Sequence, residues 1–302
     1  TDRGSLVEVT GLRKSYGPKE VLSGIDLRVE AGEIVGILGP NGSGKTTTVE
    51  CIGGLRAPDG GTISVDGIDP QANERALRKI LGMQLQEARL PAKITAAEAI
   101  DLFASFYPDP EPTAVLLERL GVVTQRNERF ENLSGGQQQR LSVALALVGR
   151  PRVAILDELT TGLDPAARRE IWTYLGQLRD AGTTFLLVTH SMEEAQHLCD
   201  RVYILAGGRF VRSGSPQELS SAMGTQVMSF LPSSSVDLDL LRSVAGVHAA
   251  HADESRVVID GDDTALQSVL SLLSARGVTI SGLSITTPTL EDAYLAATRG
   301  VG

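Results

Sequence analysis

The chain has 302 residues, a net charge of −9 at pH 7 and only two cysteines. Its length allows more than one hydrophobic core, its acidic balance argues against DNA or RNA as the main partner, and two cysteines build neither a disulfide framework nor a metal cluster. No apolar run reaches the roughly 18 residues of a membrane helix, and residues 1–11 lack the apolar segment of a signal peptide, so we expect a soluble, cytosolic protein.

Short alternating apolar segments near the start predict an antiparallel β layer whose strands are separated by glycine-containing turns. These segments are Leu6–Val9, Val21–Leu22 and Ile25–Val29. Continuous apolar runs, typical of strands buried on both faces, follow at 34–38, 153–156 and 184–188. Because each run precedes a helix-like stretch, we expect an α/β core with a parallel sheet and crossover helices.

Between the first two buried runs, residues 93–126 predict a helical insert. Thr95 and Glu98 match a capping box, and apolar residues then repeat at helical spacing. A proline-rich stretch at 107–112 is expected to end that helix.

The pattern of apolar and polar residues changes after residue 216. Residues from about 225 onward predict the order strand, helix, strand, strand, helix, strand, helix. We therefore divide the chain into a first domain at 1–222 and a small C-terminal α+β domain at 223–302.

A phosphate-binding motif follows the first buried run. Residues 39–46 read GPNGSGKT, a full match to G-x-x-x-x-G-K-[ST]. Glycines let backbone N–H groups wrap a phosphate, Lys45 would neutralise the β- and γ-phosphates, and Thr46 would offer a hydroxyl to Mg²⁺. A plain glycine-rich turn is the alternative, but the strand–loop–helix context favours a nucleotide. The inferred contacts are Gly39, Pro40, Asn41, Gly42, Ser43, Gly44, Lys45, Thr46 and Thr47.

Two adjacent acids, Asp157 and Glu158, end the second buried run. Because successive side chains on a strand point to opposite sides, the two cannot do the same job. We predict that Asp157 holds the Mg²⁺ shell and that Glu158 activates water as general base. Taken alone, acids meeting solvent at a strand end explain the pair equally well.

His190 follows the third buried run, at the edge of a parallel sheet where ligands bind. The family resemblance named below implies that this histidine contacts the γ-phosphate. The alternative is a histidine that merely precedes a helix capped by Ser191 with Glu193 and Glu194.

The segment Leu133–Gln137 reads LSGGQ. Ser134 and Gln137 match an ordinary capping box for a helix over Gln138–Val148. Two glycines in a first helical turn are nevertheless costly, and they are explained if that helix N-terminus lies close to an anion.

With the phosphate loop upstream and the acidic pair downstream, LSGGQ resembles the signature of ABC (ATP-binding cassette) ATPases. The resemblance extends over about residues 5–220 and implies a P-loop NTPase core with a helical subdomain at about 87–150. The family's D-E-P becomes Asp157-Glu158-Leu159 here, which removes a proline but no catalytic group.

Further site residues are assigned through this resemblance. Gln86 is similar to the glutamine that touches Mg²⁺ and senses the membrane partner, and is counted with Glu158 and His190 as catalytic. Asp164, before Pro165, resembles the D-loop aspartate, although a helix N-cap explains it too. Tyr16 matches the aromatic that stacks on adenine, with core packing as the alternative. The signature residues assigned to ATP are Ser134, Gly135, Gly136 and Gln137.

The resemblance also implies a mechanism. ATP and Mg²⁺ are held by the phosphate loop of one cassette and capped by Ser134 and Gly136 of a second copy or homologous cassette, arranged head to tail. Closure of this dimer and ATP hydrolysis would drive separate membrane-spanning permease subunits, with the chain peripheral on the inner face of the plasma membrane.

The segment Pro288–Leu295 reads PTLEDAYL, which is similar to the ending of ABC-2-type exporter ATPases, including daunorubicin-resistance-like exporters. This favours export of a drug, lipid or other hydrophobic compound. The alternative at this segment is that Pro288 only starts an amphipathic helix. For the whole chain, the alternatives are a non-transport cytosolic ABC ATPase, a non-catalytic cassette and an importer subunit.

Overall fold

The computed structural model describes residues 4–84, 90–222, 224, 226–253 and 255–299. The chain divides into two compact units with a break between Pro216 and Gln217, and the second unit extends to Ala296. Each unit contains its own cluster of buried apolar residues. The predicted domain boundary after residue 222 lies slightly beyond this break and stays a prediction.

The first unit contains both strands and helices. In chain order they are β1 (Ser5–Tyr16), β2 (Lys19–Glu30), β3 (Ile34–Leu38), α1 (Lys45–Ile52), β4 (Gly60–Val65), α2 (Glu74–Leu77), β5 (Leu81–Gln84), α3 (Ala96–Ala104), α4 (Thr113–Arg119), α5 (Gly135–Leu147), β6 (Val153–Asp157), α6 (Pro165–Asp180), β7 (Thr184–Thr189), α7 (Met192–Leu198), β8 (Arg201–Ala206) and β9 (Arg209–Gly214). Short 3-10 turns at Val123–Gln125 and Phe130–Asn132 lie between α4 and α5.

The rest of the chain contains further helices and strands. They are α8 (Pro216–Ser221), β10 (Gln226–Pro232), α9 (Leu238–Arg242), β11 (Val247–Asp253), β12 (Arg256–Gly261), α10 (Asp263–Ala275), β13 (Ile280–Thr286) and α11 (Leu290–Thr298). From β10 onward their order is the predicted strand, helix, strand, strand, helix, strand, helix.

The main sheet of the described residues has six strands in the order β5-β6-β7-β3-β8-β9. Its strands are parallel except β9, which runs antiparallel to β8. All residues of β3, β6 and β7 are buried, which confirms the three predicted runs. Because these three strands are neighbours, the segments that follow them meet at one edge of the sheet.

The antiparallel layer is confirmed, but its strands are longer than predicted. It has the order β2-β1-β4 in the described chain, and the segments Val21–Leu22 and Ile25–Val29 both belong to β2. Gly11 in β1 and Gly24 in β2 have positive φ angles of 59° and 83°, and the pairing register shifts around Leu12. These two glycines therefore sit at irregularities within strands, where they permit bulges. A glycine-containing turn is present at Gly17 and Pro18, between β1 and β2.

Helices α3, α4 and α5 form the predicted helical region. The capping box at Thr95 and Glu98 is complete, with each residue's side chain accepting from the other's backbone N–H. Helix α5 begins at Gly135, earlier than the predicted start at Gln138, because Ser134 is its N-cap. Both glycines therefore lie in the first turn.

The second unit contains an antiparallel sheet, which in the described residues has four strands in the order β11-β12-β10-β13. With its two intervening helices this is the β-α-β-β-α-β arrangement, and Phe230 and Val269 lie in its buried core. Thr289 and Asp292 form reciprocal hydrogen bonds at the start of α11. Pro288 therefore immediately precedes the cap. The amphipathic helix of the alternative is present and begins at Leu290, with Leu290 and Ala293 buried.

Cys51 and Cys199 are buried free thiols. Across the described part of the chain, none of the helices combines the length and the apolar character that crossing a bilayer demands.

Candidate active site

The phosphate loop connects β3 to α1 in a tightly packed backbone path. Gly44 has a φ of 107° and directly precedes α1. A Cβ atom at Gly44 would lie 2.6 Å from Leu22 Cδ2, and one at Gly39 would lie 2.4 Å from the carbonyl oxygen of Leu205. Both positions therefore require glycine, whereas Pro40, Asn41 and Gly42 face solvent.

Lys45, the first residue of α1, has a buried side chain at 7% exposure. Its ammonium donates hydrogen bonds to the carbonyl oxygens of Gly39 at 2.8 Å and Pro40 at 3.1 Å. Burial lowers the pKa of Lys45, and the nearby carboxyls of Asp157 and Glu158 partly oppose this effect. The loop thus encloses a positive charge that has acceptors but no salt-bridged anion among the described residues.

Ser43 contributes a second polar group to the same loop. Its hydroxyl oxygen is buried and has no hydrogen-bond partner in the described part of the chain. A buried hydroxyl without a partner is costly, and an anionic ligand held in the loop would satisfy it. The donor set around Lys45 and Ser43 therefore fits a phosphate.

Asp157 is the last residue of β6 and is 1% exposed. Its Oδ2 accepts a hydrogen bond of 3.3 Å from the hydroxyl of Thr46. Burial raises the pKa of Asp157 to about 6, and the charge of Glu158 adds to this, while Thr46 and Lys45 act in the opposite direction. A hydroxyl and a buried carboxylate are oxygen ligands of the kind that Mg²⁺ prefers, so these two residues fit the predicted metal site.

Glu158 is turned away from β6 by its backbone. Its φ is 53°, and its N–H donates to the carbonyl of Val188 at 2.8 Å. Because the strand ends at Asp157, the predicted alternation along a strand does not apply to Glu158, and the left-handed backbone sets its direction instead. Its carboxyl Oε1 lies 3.3 Å from Nδ1 of His190.

His190 directly follows β7, and its side chain is 60% exposed, against 18% for that of Glu158. The two side chains come from strands that are neighbours in the sheet. An imidazole beside a carboxylate at a solvent-facing edge can hold and orient a proton-bearing group. This contact was not anticipated from the sequence, because the two residues are far apart along the chain.

The signature segment forms the start of α5. Ser134 accepts a hydrogen bond from the N–H of Gln137, and the amide oxygen of Gln137 accepts from the N–H of Ser134, which confirms the capping box. A Cβ atom at Gly135 would have no atom within 4 Å, so nothing in this chain requires glycine there. No hydrogen bond or ion pair among the described residues joins Ser134–Gln137 to the phosphate loop.

Gln139 links the signature helix to the acidic pair and was not singled out from the sequence. Its Nε2 donates to the carbonyl oxygens of Glu158 and Leu159, both at 3.0 Å. A glutamine one turn into a helix does not by itself indicate a contact with a distant strand end. The hydrogen bonds fix the backbone immediately after β6 to α5.

Asp164 is confirmed as the N-cap of α6, with Pro165 at the first helical position. Its carboxylate accepts from the N–H groups of Ala166 and Ala167, both at 3.0 Å, and the bond from Ala167 is the main reason for its lowered pKa. The assignment of Asp164 to ATP stays a prediction.

Tyr16 ends β1 and is 41% exposed, so the alternative of core packing is wrong. The guanidinium carbon of Arg56 lies 5.1 Å from the centre of its ring. The ammonium nitrogen of Lys14 lies 6.0 Å from the same ring centre. An exposed aromatic ring of this kind can stack on a base. Gln86 lies outside the described residues, and its predicted role stays a prediction.

Comparison with known proteins relates this site to a family. Residues 22–161 match the ABC transporter family. The daunorubicin resistance ATP-binding protein DrrA3 of Streptomyces coeruleorubidus is 33% identical over 97% of this chain and 96% of that protein. The linearmycin resistance ATP-binding protein LnrL of Bacillus subtilis (strain 168) is 30% identical over 97% of this chain and 98% of its own. The Nod factor export ATP-binding protein I of Rhizobium etli is 37% identical over 85% and 81% of the two chains.

Solved structures give the same family. The ATP-binding subunit of an ABC transporter matches with a TM-score of 0.67 and 28% identity over 72% of this chain and 93% of that one. A dimeric ATP-binding cassette in a post-hydrolysis state, bound to ADP and Pi, matches with a TM-score of 0.65 and 29% identity over 69% and 98%. The chain is therefore an ATPase and belongs to the family of ABC transporter ATP-binding subunits.

Proposed function

We propose that this ATPase powers the export of a hydrophobic compound, such as a drug or lipid, through separate membrane-spanning subunits. The observation that carries the ATPase part is the meeting of the phosphate loop, Asp157, Glu158 and His190 at one edge of the main sheet. Export is supported by the drug-resistance relatives, which match 97% of this chain and thus include its second unit.

ATP binding begins with the loop. Backbone N–H groups of residues 39–46 and the ammonium of Lys45 would hold the β- and γ-phosphates, exchanging the present bonds from Lys45 to loop carbonyls for bonds to the anion. Tyr16 would stack on the adenine.

Thr46 and Asp157 would hold Mg²⁺ together with Gln86. When bound, the ion supplies positive charge to the phosphate oxygens. For this chain the consequence is that Asp157 must be ionised, although burial raises its pKa to about 6. At a pH below about 6, where Asp157 is protonated, metal binding therefore requires this carboxyl to lose its proton.

Glu158 would take the proton of the attacking water as general base. His190, whose Nδ1 lies 3.3 Å from Oε1 of Glu158, would contact the γ-phosphate through its other side and keep the carboxylate oriented. These roles divide the adjacent acids between the metal and the water.

The signature would act on the nucleotide of a second cassette. Gly135 has free space where a Cβ would lie, which is what close approach by an outside partner requires, and the start of α5 directs free N–H groups outward. We therefore propose a head-to-tail dimer whose closure on ATP and reopening after hydrolysis drive the permease subunits, with the chain peripheral at the inner face of the plasma membrane.

The test compares hydrolysis of Mg²⁺-ATP by the chain and by Glu158→Gln, with the oligomeric state measured in both. We expect the variant to lose turnover by at least about 100-fold while ATP still drives it into a dimer that persists. Glu118→Gln, an exposed glutamate on α4, is the matched control and should hydrolyse ATP normally. Full turnover by Glu158→Gln would show that another group is the base.

The export part is tested by co-purification with a membrane partner. Stimulation of ATP turnover by a permease without any substrate-binding protein would support an exporter. A requirement for an extracytoplasmic binding protein would instead identify an importer subunit.

A further inference from the structure

Glu194, on α7 behind His190, is a buried acid that the proposed chemistry does not use. It is 1% exposed. Both of its carboxyl oxygens are buried and lack a hydrogen-bond partner among the residues that the structure describes. Such a group is destabilising unless it finds a partner, so its presence needs an explanation.

Local hydrogen bonding explains why the carboxyl of Glu194 does not cap the start of its own helix. Ser191 and Glu194 have the spacing of a capping box, and one half forms, since Ser191 Oγ accepts from the N–H of Glu194 at 3.2 Å. The other half does not, because the N–H of Ser191 donates to Thr189 Oγ1 at 3.0 Å. The boxes that begin α3 and α5 are complete on both sides. The carboxyl of Glu194 therefore does not cap the N–H of Ser191, unlike the corresponding side chains of those two boxes.

The carboxyl of Glu194 faces groups adjacent to the catalytic pair. Its surroundings include the hydroxyls of Thr189 and Thr160 and the indole N–H of Trp172, and these three donors partly offset the burial that raises the pKa of Glu194. Trp172 Nε1 is likewise buried without a hydrogen-bond partner in the described chain. The three donor groups therefore lie near the Glu194 carboxyl without forming hydrogen bonds of ordinary geometry with it in this structure.

Both threonines are close in sequence to the residues proposed as catalytic. Thr189 immediately precedes His190, and Thr160 follows Glu158 by two residues. Glu158, His190, Thr160 and Glu194 also line one cavity of about 330 Å³. A side chain with two oxygens in this place can bond both segments at once.

We propose that Glu194 is a positioning residue, whose carboxyl bridges the hydroxyls of Thr189 and Thr160 and so holds His190 and Glu158 in register for ATP hydrolysis. The proposal rests on the roles proposed above for Glu158 and His190. Because the bridge acts on the reacting geometry and touches no part of the nucleotide, it affects the catalytic step more than ATP binding.

Glutamine and methionine at residue 194 separate bridging from packing. Both match the length of glutamate. Glutamine keeps a donor and an acceptor that hydroxyls can bond, whereas methionine fills the space without bonding either. Because methionine also removes a buried carboxyl whose desolvation is costly, it should raise or preserve the temperature of unfolding.

The experiment measures kcat, KM for ATP and the unfolding midpoint of the full chain and its variants. We expect Glu194→Met to lower kcat by about 10- to 100-fold with KM changed by less than about twofold, without a lower midpoint. Glu194→Gln should restore most of kcat. Glu193→Met, one residue earlier on α7 and exposed, is the matched control and should change none of the three.

A second variant keeps the test decisive if Glu194→Met folds poorly. Thr160→Val removes one bridged hydroxyl with little change of shape, and it should lower kcat without changing KM. Wild-type kcat in Glu194→Met or in Thr160→Val would overturn the proposal, as would equal losses in Glu194→Met and Glu194→Gln. Full activity of Glu158→Gln would instead overturn the proposed function, so the two failures are distinguishable.

Discussion

At the scale of single residues, the two acids after β6 differ because the backbone changes conformation between them. Asp157 keeps a strand conformation and is buried against Thr46. Glu158 has a left-handed backbone and reaches His190. Such a conformation is uncommon outside glycine and is held here by bonds from Glu158 N–H to Val188 and from Gln139 to Glu158. One backbone torsion thus separates the residue proposed to hold the metal from the residue proposed as the base.

The burial of Asp157 predicts a pH-dependent effect of Asp157→Asn. The pKa of Asp157 is about 6 in the folded chain against an ordinary value of 3.8, so the wild type loses stability as the pH rises from about 4 to 6. We expect Asp157→Asn to raise the unfolding midpoint at pH 8 without metal or nucleotide, and this gain to vanish near pH 4. Thermal melts across that range measure it, with Asp180→Asn, an exposed aspartate at the end of α6, as the control.

Mg²⁺-ATP should reverse the order of stability at pH 8. The wild type gains binding free energy through ionised Asp157, whereas the asparagine variant lacks that charge. A pH-independent difference between the two chains, or a gain by the variant from Mg²⁺-ATP as large as that of the wild type, would contradict this account.

Residue identities at the site could be predicted from the sequence, but their contacts only in part. The phosphate loop is a contiguous motif, so Lys45 and Thr46 were found directly. The contact of Glu158 with His190 depends on β6 and β7 being neighbours and on the backbone of Glu158, and neither property is written in local sequence. The hydrogen bonds of Gln139 are likewise tertiary, which is why that residue was missed.

At the scale of elements, the sequence located the three buried strands to within one residue of their ends. It located the start of α5 and the limits of the antiparallel strands less accurately. Capping boxes are formed by residues three apart, so those of α3 and α5 were recognisable at once. The limits of β1 and β2 were wrong because a glycine with positive φ can mark a bulge within a strand as well as a turn between strands. Only the pairing between strands distinguishes a bulge within a strand from a turn between two strands.

The complete capping boxes at the starts of α3 and α5 provide a test of the signature. Ser134→Ala and Thr95→Ala each remove an N-cap bond, so each should lower the free energy of unfolding by about 1 kcal/mol. Only Ser134→Ala should also reduce ATP turnover, because Ser134 has the proposed second role at the partner's nucleotide. Chemical denaturation and steady-state ATPase rates measure the two effects.

Mixing variants tests whether that role is exerted between chains. Lys45→Ala and Ser134→Ala are each expected to be inactive, but a head-to-tail mixed dimer contains one site with both residues intact. An equal mixture should therefore recover about a quarter of the wild-type rate. If the mixture stays inactive while both variants bind and dimerise, the signature does not act across the dimer.

At the scale of the whole molecule, the chain consists of two units with separate cores. The first unit's core joins the antiparallel layer to the main sheet, and the second is built around its own four-stranded sheet. Separate groups of strand and helix patterns in the two parts of the sequence predicted both units. The sequence offered less on what the second unit does, since function there depends on a surface and not on a motif.

Separate cores predict that the first unit survives removal of the second. A chain ending at residue 222 keeps every residue of the first unit's apolar cluster, so we expect cooperative unfolding and ATP binding close to those of the full chain. If the second unit is a dimer contact or controls nucleotide access, its loss must change the concentration at which ATP drives dimerisation, or the ATPase rate. Analytical ultracentrifugation with and without ATP, alongside turnover, measures both. An unchanged dimerisation curve and an unchanged rate would exclude either role, and would leave the permease as the partner against which the second unit has to be tested.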